Sequence, residues 1–242
     1  MSSMLSKKWA ALLCLFFGVF PLKAGAQIGH LASFDDRLIH FGIQVGMTQS
    51  KFDVDFTLDD QVRESMQGVA SYNAAGFHIS VILPDLRISR FLSLRLLPGV
   101  TILNREIAYS WASAYASNPL SEPQRYVESV YGELPVEFKF RAMRCNNFRP
   151  YVTAGASYGF DFASLRKNKN NNAESIIRLN PSDFRYSAGV GVDFFLRYVA
   201  FAIEMKVLLG VVDLSVPDND VYTLAVDRLT SRTFVISFIF EG

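Results

Sequence analysis

The chain has 242 residues, of which 50% are hydrophobic and 14% aromatic, and its formal net charge is +1. This length suits a single all-β barrel or sandwich, and the balanced charge argues against a nucleic-acid partner, which would require a basic excess. After the first 26 residues no apolar run is long enough for a spanning helix, so the high apolar content is typical of a membrane β-barrel, in which apolar and polar residues alternate.

The N-terminal region has the pattern of a secretory signal peptide. Two lysines precede the apolar run 9–20, and Ala24-Gly-Ala26 fits a cleavage site. We therefore predict three parts: a cleaved signal peptide over residues 1–26, an N-terminal periplasmic segment over residues 27–37, and a barrel over residues 38–242. Without its first 26 residues the chain has 21 basic and 23 acidic residues, a formal charge of −2.

The segment Ile39–Thr48 alternates apolar and polar residues with a period of two, which indicates a strand with two unlike faces. The same alternation recurs along the rest of the chain and predicts seven more strands. These lie at residues 72–83, 90–104, 128–141, 150–162, 183–195, 198–211 and 229–241.

The connections between these strands alternate between short and long. The short ones are predicted at Pro84–Ser89, Ala142–Arg149 and Leu196–Arg197, and the long ones at residues 50–71, 105–127, 163–182 and 212–228. The long connections carry the most polar stretches of the chain, at residues 118–123, 167–172 and 217–220. Short turns at one end and long loops at the other are typical of outer-membrane barrels. We predict an all-β, eight-stranded, antiparallel up-and-down transmembrane β-barrel with short periplasmic turns and long extracellular loops.

Periodicity alone does not say which face is outside, because a soluble lipocalin-like barrel has the same alternation turned inside out. Three features favour lipid outside. The polar faces are rich in glycine, which suits a crowded interior better than a water-facing surface. The apolar faces carry aromatic residues near both strand ends, and the last strand closes with Phe238-Ile-Phe240. The predicted location is therefore the outer membrane of a Gram-negative cell, with its lipid as a partner.

The polar faces also carry charges, which a narrow interior tolerates only in pairs. Arg95 and Glu137 lie on neighbouring predicted strands at similar heights, as do Asp161 and Arg185, and we predict that each couple forms an ion pair. Glu204 and Lys206 add one charge of each sign. The six predicted interior ion-pair residues are thus Arg95, Glu137, Asp161, Arg185, Glu204 and Lys206. We interpret them as a salt-bridged core, with a proton or ion path as the alternative.

Signals for enzymatic chemistry are few. His78 and Ser80 share one strand face and resemble part of a Ser–His site, but neither an orienting carboxylate nor an oxyanion site is evident. Cys145 is the one cysteine after residue 26, so no intrachain disulfide is expected. The sequence has no metal-ligand cluster, phosphate loop or dinucleotide fingerprint. We predict no catalytic residues, no cofactor, no metal and no small-molecule substrate, with an outer-membrane lipid hydrolase as a minor alternative.

Several segments resemble PorT-type outer-membrane barrels. They are Leu38-Ile-His-Phe-Gly-Ile-Gln-Val-Gly46, Glu128-Ser-Val-Tyr-Gly-Glu-Leu-Pro-Val-Glu-Phe-Lys139, Pro150-Tyr-Val-Thr-Ala-Gly155, Ile203-Glu-Met-Lys206 with Gly210, and the closing strand Leu229–Glu241. The likeness extends over nearly all of the chain after the predicted signal peptide. Gly132 and Glu137 depart from the family's pattern, which has a bulkier and an apolar residue there.

This resemblance implies a component of the type IX secretion system, which exports folded cargo proteins with a C-terminal signal and in some bacteria powers gliding. It implies a non-enzymatic accessory barrel that contacts other secretion subunits through its loops and lipid-facing surface. Because eight-stranded barrels have many roles, a small OmpX-like adhesion or structural barrel is the alternative function.

Overall fold

The computed structural model describes residues 31, 34, 36–56, 66–111, 124–164, 179–215 and 226–242. The predicted signal peptide and the polar stretches at residues 118–123, 167–172 and 217–220 lie outside these ranges. Among the described residues no helix is long and apolar enough to cross a membrane. The strands are β1 Ile39–Phe56, β2 Met66–Tyr72, β3 Ala74–Arg87, β4 Leu92–Leu96, β5 Gly99–Trp111, β6 Gln124–Arg141, β7 Phe148–Asp161, β8 Ser182–Phe195, β9 Ala200–Gly210 and β10 Val226–Glu241.

The strands form one closed antiparallel ring with eight positions. Each position, here called a stave, is occupied either by one strand or by two strands that follow each other along the chain. Strand β1 pairs with β10 on one side and with β3 on the other, so the sheet has no open seam there. β2 and β3 together form one stave, and both pair with β5. β4 and β5 together form the next stave, and both pair with β6. The predicted eight-stranded up-and-down barrel is confirmed.

The barrel has its apolar face outside. Phe41, Ile79 and Val190 are 54%, 48% and 51% exposed, whereas the alternate residues of the same strands, such as Gln44 and Ser80, are buried. A soluble barrel would place these apolar side chains in its centre. The outward apolar wall therefore fits acyl chains, as the membrane interpretation predicts.

Aromatic side chains ring the wall at two levels. Towards the end with the short turns, Phe201 packs against Phe194, Phe238 and Phe240, with ring centroids 5.2 to 6.3 Å apart. Towards the other end, Phe184 lies 5.5 Å from Tyr186, and Phe160 lies 5.5 Å from Phe162. Two such belts are typical of the two lipid–water interfaces, so the wall between them is the membrane span.

Five staves extend by three residues or more beyond the predicted strand ends into the predicted outer loops, namely those that contain β1, β2, β5, β6 and β10. β1 continues to Phe56, where the sequence pattern predicts a loop from residue 50, and its pairing with β10 runs on to Val226. Above Met47 the outward residues become polar, and Asp53 forms an exposed ion pair of 2.8 Å with Arg232. The staves therefore leave the lipid near this level. The alternation of apolar residues, from which the sequence predicts a strand, stops at this level. The hydrogen-bonded pairing of the backbone continues beyond it.

The predicted turn at Pro84–Ser89 is shorter than expected. β3 includes Pro84 and continues to Arg87, and the pairing with β1 shifts register between His40 and Gly42. Proline lacks an N–H group and is accommodated in sheets at such bulges. The bulge changes which residues face inward, so Asp85 points into the lumen.

Residues of the predicted periplasmic segment lie across the short-turn end of the barrel. Phe34 is buried against Phe195 and Ala200, and its ring stacks on His40 with a centroid distance of 4.0 Å. His40 Nε2 is 2.8 Å from the Phe34 carbonyl oxygen. An apolar contact thus holds Phe34 against this end of the barrel.

The orientation of the wall gives a test with a charged side chain. Val190 lies between the two aromatic belts, so Val190→Arg should lower the free energy of unfolding by about 2–4 kcal/mol in phospholipid vesicles. Gln49→Arg, above the upper belt, should cost about 0–1 kcal/mol. Urea titration of the two reconstituted variants measures the difference. Equal losses would contradict the assigned membrane span.

Candidate functional site

The lumen is filled by charged side chains from most of the staves. Among the described residues, seven cationic and eight carboxylate side chains are buried. They are Arg95, Arg105, Lys139, Arg141, Arg149, Arg185 and Lys206, and Asp85, Glu133, Glu137, Asp161, Asp183, Asp193, Glu204 and Glu241. Because the two sets nearly balance, the lumen is close to neutral.

Arg95 is the centre of the network towards the periplasmic end. Its Nε lies 3.3 Å from Asp85 Oδ2, its Nη1 lies 3.2 Å from Glu204 Oε2, and its Nη2 pairs with Glu241. The three carboxylates come from β3, β9 and β10. One fully buried guanidinium therefore connects four strands across the lumen.

Glu204 joins this cluster to the middle of the barrel. Lys206 Nζ lies 3.0 Å from Glu204 Oε1 and 2.6 Å from Glu137 Oε1. The hydroxyl of Tyr151 donates a hydrogen bond of 3.0 Å to Glu204 Oε2. Glu204 is thus shared between Arg95 and Lys206, and both of its oxygens contact a donor group.

A second branch runs to the periplasmic mouth. Lys139 Nζ lies 2.8 Å from Asp193 Oδ1 and 3.8 Å from Glu241 Oε1, and Arg149 Nη2 lies 3.2 Å from Asp193 Oδ2. The Lys139 ammonium also lies 4.0 Å from the centre of the Tyr151 ring, where a cation is attracted to the aromatic face. Ion pairs therefore continue without a break from Glu137 to Arg149.

A separate cluster lies towards the extracellular end. Arg185 Nη2 is 2.9 Å from Glu133 Oε1, and its Nε is 3.6 Å from Asp183 Oδ2. Ser231 Oγ donates a hydrogen bond of 2.7 Å to the same Asp183 oxygen. Higher in the lumen, the Arg105 guanidinium lies 4.2 Å from the centre of the Phe52 ring.

All six predicted interior residues are buried in the lumen, but the structure pairs them differently. Arg95 faces Glu137 in the β4–β6 register, yet its long side chain crosses the lumen to β9 and β10, and Lys206 takes Glu137. The expected Arg95–Glu137 pair is replaced because, in a barrel this narrow, a long side chain reaches carboxylates on the opposite wall.

The expected pair of Asp161 with Arg185 also gives way to other contacts. Arg185 is level with Ser157, four residues below Asp161, a distance of roughly 13 Å along a strand. Asp161 Oδ1 instead accepts hydrogen bonds from the backbone N–H groups of Val130 and Ala163, at 3.2 and 2.9 Å. At the end of β7 the Asp161 carboxylate therefore accepts from backbone N–H groups and does not pair with Arg185.

The six predicted residues leave out other network members, among them Arg149, Tyr151 and Asp85. Arg149 and Tyr151 share the inward parity of Thr153, and extending the β7 alternation by two residues towards the N-terminus identifies both. Asp85 has no such signal, because the bulge at Pro84 interrupts the alternation before it.

The pair considered for catalysis is engaged elsewhere. His78 Nδ1 is 2.7 Å from Thr101 Oγ1, and Ser80 Oγ donates a 3.2 Å hydrogen bond to Gln44 Oε1. A cavity of about 20 Å³ beside His78 has room for about one water molecule. Across the described ranges, no group of three or more His, Cys, Asp or Glu side chains is arranged to hold a metal.

The sharing of Glu204 predicts a large effect of its removal. Glu204→Gln keeps the side-chain volume but leaves Arg95 and Lys206 short of a counter-charge, so the free energy of unfolding should fall by about 3–5 kcal/mol. Asp53→Asn breaks the ion pair with Arg232, whose partners are half exposed, and should cost about 0–1 kcal/mol. Urea titration in vesicles compares the two. A Glu204→Gln loss no larger than that of Asp53→Asn would show that the lumen pairs do not hold the barrel together.

Several solved structures of outer-membrane proteins are similar to this chain. OprG from Pseudomonas aeruginosa is similar over 88% of this chain and 98% of its own, at 16% identity and a TM-score of 0.46. Ail of Yersinia pestis, in complex with the heparin analogue sucrose octasulfate, is similar over 85% and 100%, at 13% identity and a TM-score of 0.38. Neisserial surface protein A is similar over 82% and 95%, at 11% identity and a TM-score of 0.40. No curated protein matches the sequence.

The sequence itself matches one protein family over most of its length. The match covers residues 26–216, and the family is described as an outer membrane protein beta-barrel domain. The predicted location in the Gram-negative outer membrane is confirmed. With its closed eight-stave ring and apolar outer wall, the chain belongs to this family of outer-membrane β-barrel proteins.

Proposed function

We propose that this protein is a non-enzymatic barrel component of the outer membrane that acts through its surfaces, as an accessory of the type IX secretion system in the export of folded cargo. The observation that carries the first part is the ion-paired lumen, in which the contacts from Glu137 to Arg149 run without a break. Side chains held in this way serve as a core, so that the wall and the two ends of the barrel are what partners meet.

The secretion role is supported by the sequence segments that resemble PorT-type barrels. Three of them, Leu38–Gly46, Ile203–Gly210 and Leu229–Glu241, belong to β1, β9 and β10, which are neighbours in the ring. They therefore form one continuous part of the wall, on which another membrane subunit would find a single lipid-facing surface. On this proposal the partners are outer-membrane lipid and other secretion subunits, and gliding is a further process that the protein would serve in some cells.

Two further parts of the proposal concern export and chemistry. Residues 1–26, outside the described ranges, would direct the chain across the inner membrane as a cleaved signal peptide. The absence of an enzymatic role is supported by the engagement of His78 and Ser80 with separate partners inside a crowded lumen. Their hydrogen-bond partners, Thr101 and Gln44, are neither the general base nor the orienting carboxylate that nucleophilic catalysis requires.

A small adhesion barrel of the OmpX type is the second candidate. The outer ends of β1 and β10 rise above the upper aromatic belt and carry water-facing charges such as Asp53 and Arg232. A projecting polar sheet is a surface that a host or matrix molecule could contact. This candidate and the secretion role differ in what a deletion would change.

Deletion of the gene separates the two candidates. Without the barrel, cargo proteins that carry the C-terminal export signal should disappear from the culture medium and accumulate in the periplasm. Quantitative mass spectrometry of the two fractions measures this. Expression of the wild-type chain should restore export, and the exposed-pair variant Asp53→Asn should restore it equally. Normal export together with reduced attachment to surfaces would instead support adhesion.

The filled lumen predicts that the barrel does not conduct ions. An eight-stranded barrel has an interior just wide enough for its side chains, and here those side chains are joined by ion pairs. The purified protein in a planar bilayer should therefore give no steady conductance above that of the bare membrane. A stable ohmic current that grows with the amount of inserted protein would contradict the plugged lumen and support an ion path.

A further inference from the structure

Two groups of ion pairs fill the lumen, and no direct ion pair joins them. The upper cluster contains Arg185, Glu133 and Asp183, and the lower network begins with Lys206 and Glu137. In the part of the chain that the structure describes, no ion pair links a member of the upper cluster with a member of the lower network. Lys206 and Glu133 carry opposite charges, so the gap between them separates two groups that attract each other.

A cavity of about 20 Å³ lies between the upper cluster and the lower network. Glu133 and Arg185 line it from above, and Glu137 and Lys206 line it from below. The volume exceeds the roughly 10–15 Å³ that one water molecule needs and is far below the roughly 300–1,000 Å³ of sites for small organic ligands. The two carboxylates and the two cationic groups balance each other, so the cavity suits a neutral molecule of the size of water.

Three polar side chains of the lining present surface to this cavity. His78, Glu133 and Lys206 are 7%, 6% and 6% exposed, although all three point into the crowded lumen. Gln44 and Glu137, which also line the cavity, are each 1% exposed. Apolar side chains complete much of the lining, namely those of Leu97, Pro135, Leu208 and Val235. A water molecule in the cavity therefore meets the imidazole, the Glu133 carboxylate and the ammonium.

The Lys206 ammonium has a donor left for such a molecule. Lysine carries three N–H groups. Glu137 Oε1 and Glu204 Oε1 lie 2.6 and 3.0 Å from Lys206 Nζ and take two of them. A third N–H group inside the barrel is costly unless it finds an acceptor.

His78 and Glu133 have hydrogen-bonding capacity left as well. His78 Nδ1 is 2.7 Å from Thr101 Oγ1, and among the described residues the other ring nitrogen, Nε2, makes no hydrogen bond. Glu133 Oε1 lies 2.9 Å from Arg185 Nη2. A carboxylate can accept about four hydrogen bonds, so Glu133 has room for another donor.

We propose that the cavity binds one ordered water molecule that joins the two groups of ion pairs. The water accepts a hydrogen bond from Lys206 Nζ, donates one to the Glu133 carboxylate and makes a third with His78 Nε2. About three hydrogen bonds are typical of a buried water, and a bridging water is nearly as favourable as a direct contact. Polar contacts then connect the lumen from Asp183 to Arg149. The site is independent of the proposed role in secretion.

The test uses histidine side chains as probes, because the chain has three histidines. NMR spectra of the barrel in lipid nanodiscs, labelled with ring-¹⁵N histidine, should show cross-relaxation between water and the His78 ring, with the sign that a bound, slowly exchanging water gives. His78→Gln identifies the signal. His40, which is outside the cavity lining and whose Nε2 is 2.8 Å from the Phe34 carbonyl oxygen, is the internal reference and should give none.

A pair of matched variants tests the position of the water. Val235→Ile adds one methylene group to the cavity lining and should expel the water, so the cross-relaxation at His78 should be lost. Val190→Ile adds the same group on the lipid-facing wall and should leave the signal unchanged.

The proposal is overturned if the wild-type protein shows no cross-relaxation between water and His78. Persistence of the signal in Val235→Ile, or an equal loss in Val190→Ile, would also overturn it. An equal signal at His40 would indicate water throughout the lumen and count against a single site. Heat-modifiable migration on gels checks that each variant is folded, and the wild-type spectrum decides if Val235→Ile is not.

Discussion

The barrel depends on charge neutralisation inside a lumen that is too narrow for bulk water. Removing an ion from water costs several kcal/mol, and only close counter-charges and hydrogen bonds offset that cost. In the part of the chain that the structure describes, seven buried cationic groups face eight carboxylates, and single groups such as Arg95 and Glu204 serve several partners at once. Each of these side chains is therefore fixed by contacts with several strands. The lumen acts as a core although it is built largely from charged side chains.

Space limits the lumen as strictly as charge does, and the glycines show how. A Cβ atom at Gly191 would overlap the Tyr151 ring, and one at Gly159 would lie 2.6 Å from Arg185 Nη2. At Gly155 the same atom would meet the side chain of Glu137. Glycine thus stands on one strand where a long polar side chain projects from its neighbour. The glycine pattern and the ion pairs are two aspects of one packing solution.

The wall of the barrel was predictable from the sequence, whereas the partners inside it were not. Alternation of residues such as Ile43 and Gln44 reports directly which face meets lipid, because strand geometry has a period of two. The partner of Arg95 depends instead on how far its side chain reaches across the closed ring. Strand order gives neighbours such as Glu137, but closure of the ring brings Glu204 and Glu241 within reach of Arg95. The bulge at Pro84 shifts the alternation of β3, so the sequence pattern does not identify Asp85 as an inward-facing residue.

A lumen that satisfies its own charges leaves three different surfaces for interaction. The wall between the aromatic belts is apolar and can be recognised by lipid or by another membrane protein. The outer ends of β1 and β10 are polar and meet water. At the periplasmic mouth, Asp85, Asp193 and Glu241 pair with Arg95, Lys139 and Arg149, within a rim that also carries Arg87 and Arg90. The lumen ion pairs therefore use the buried charges within the barrel, and the charges exposed to water lie at its ends.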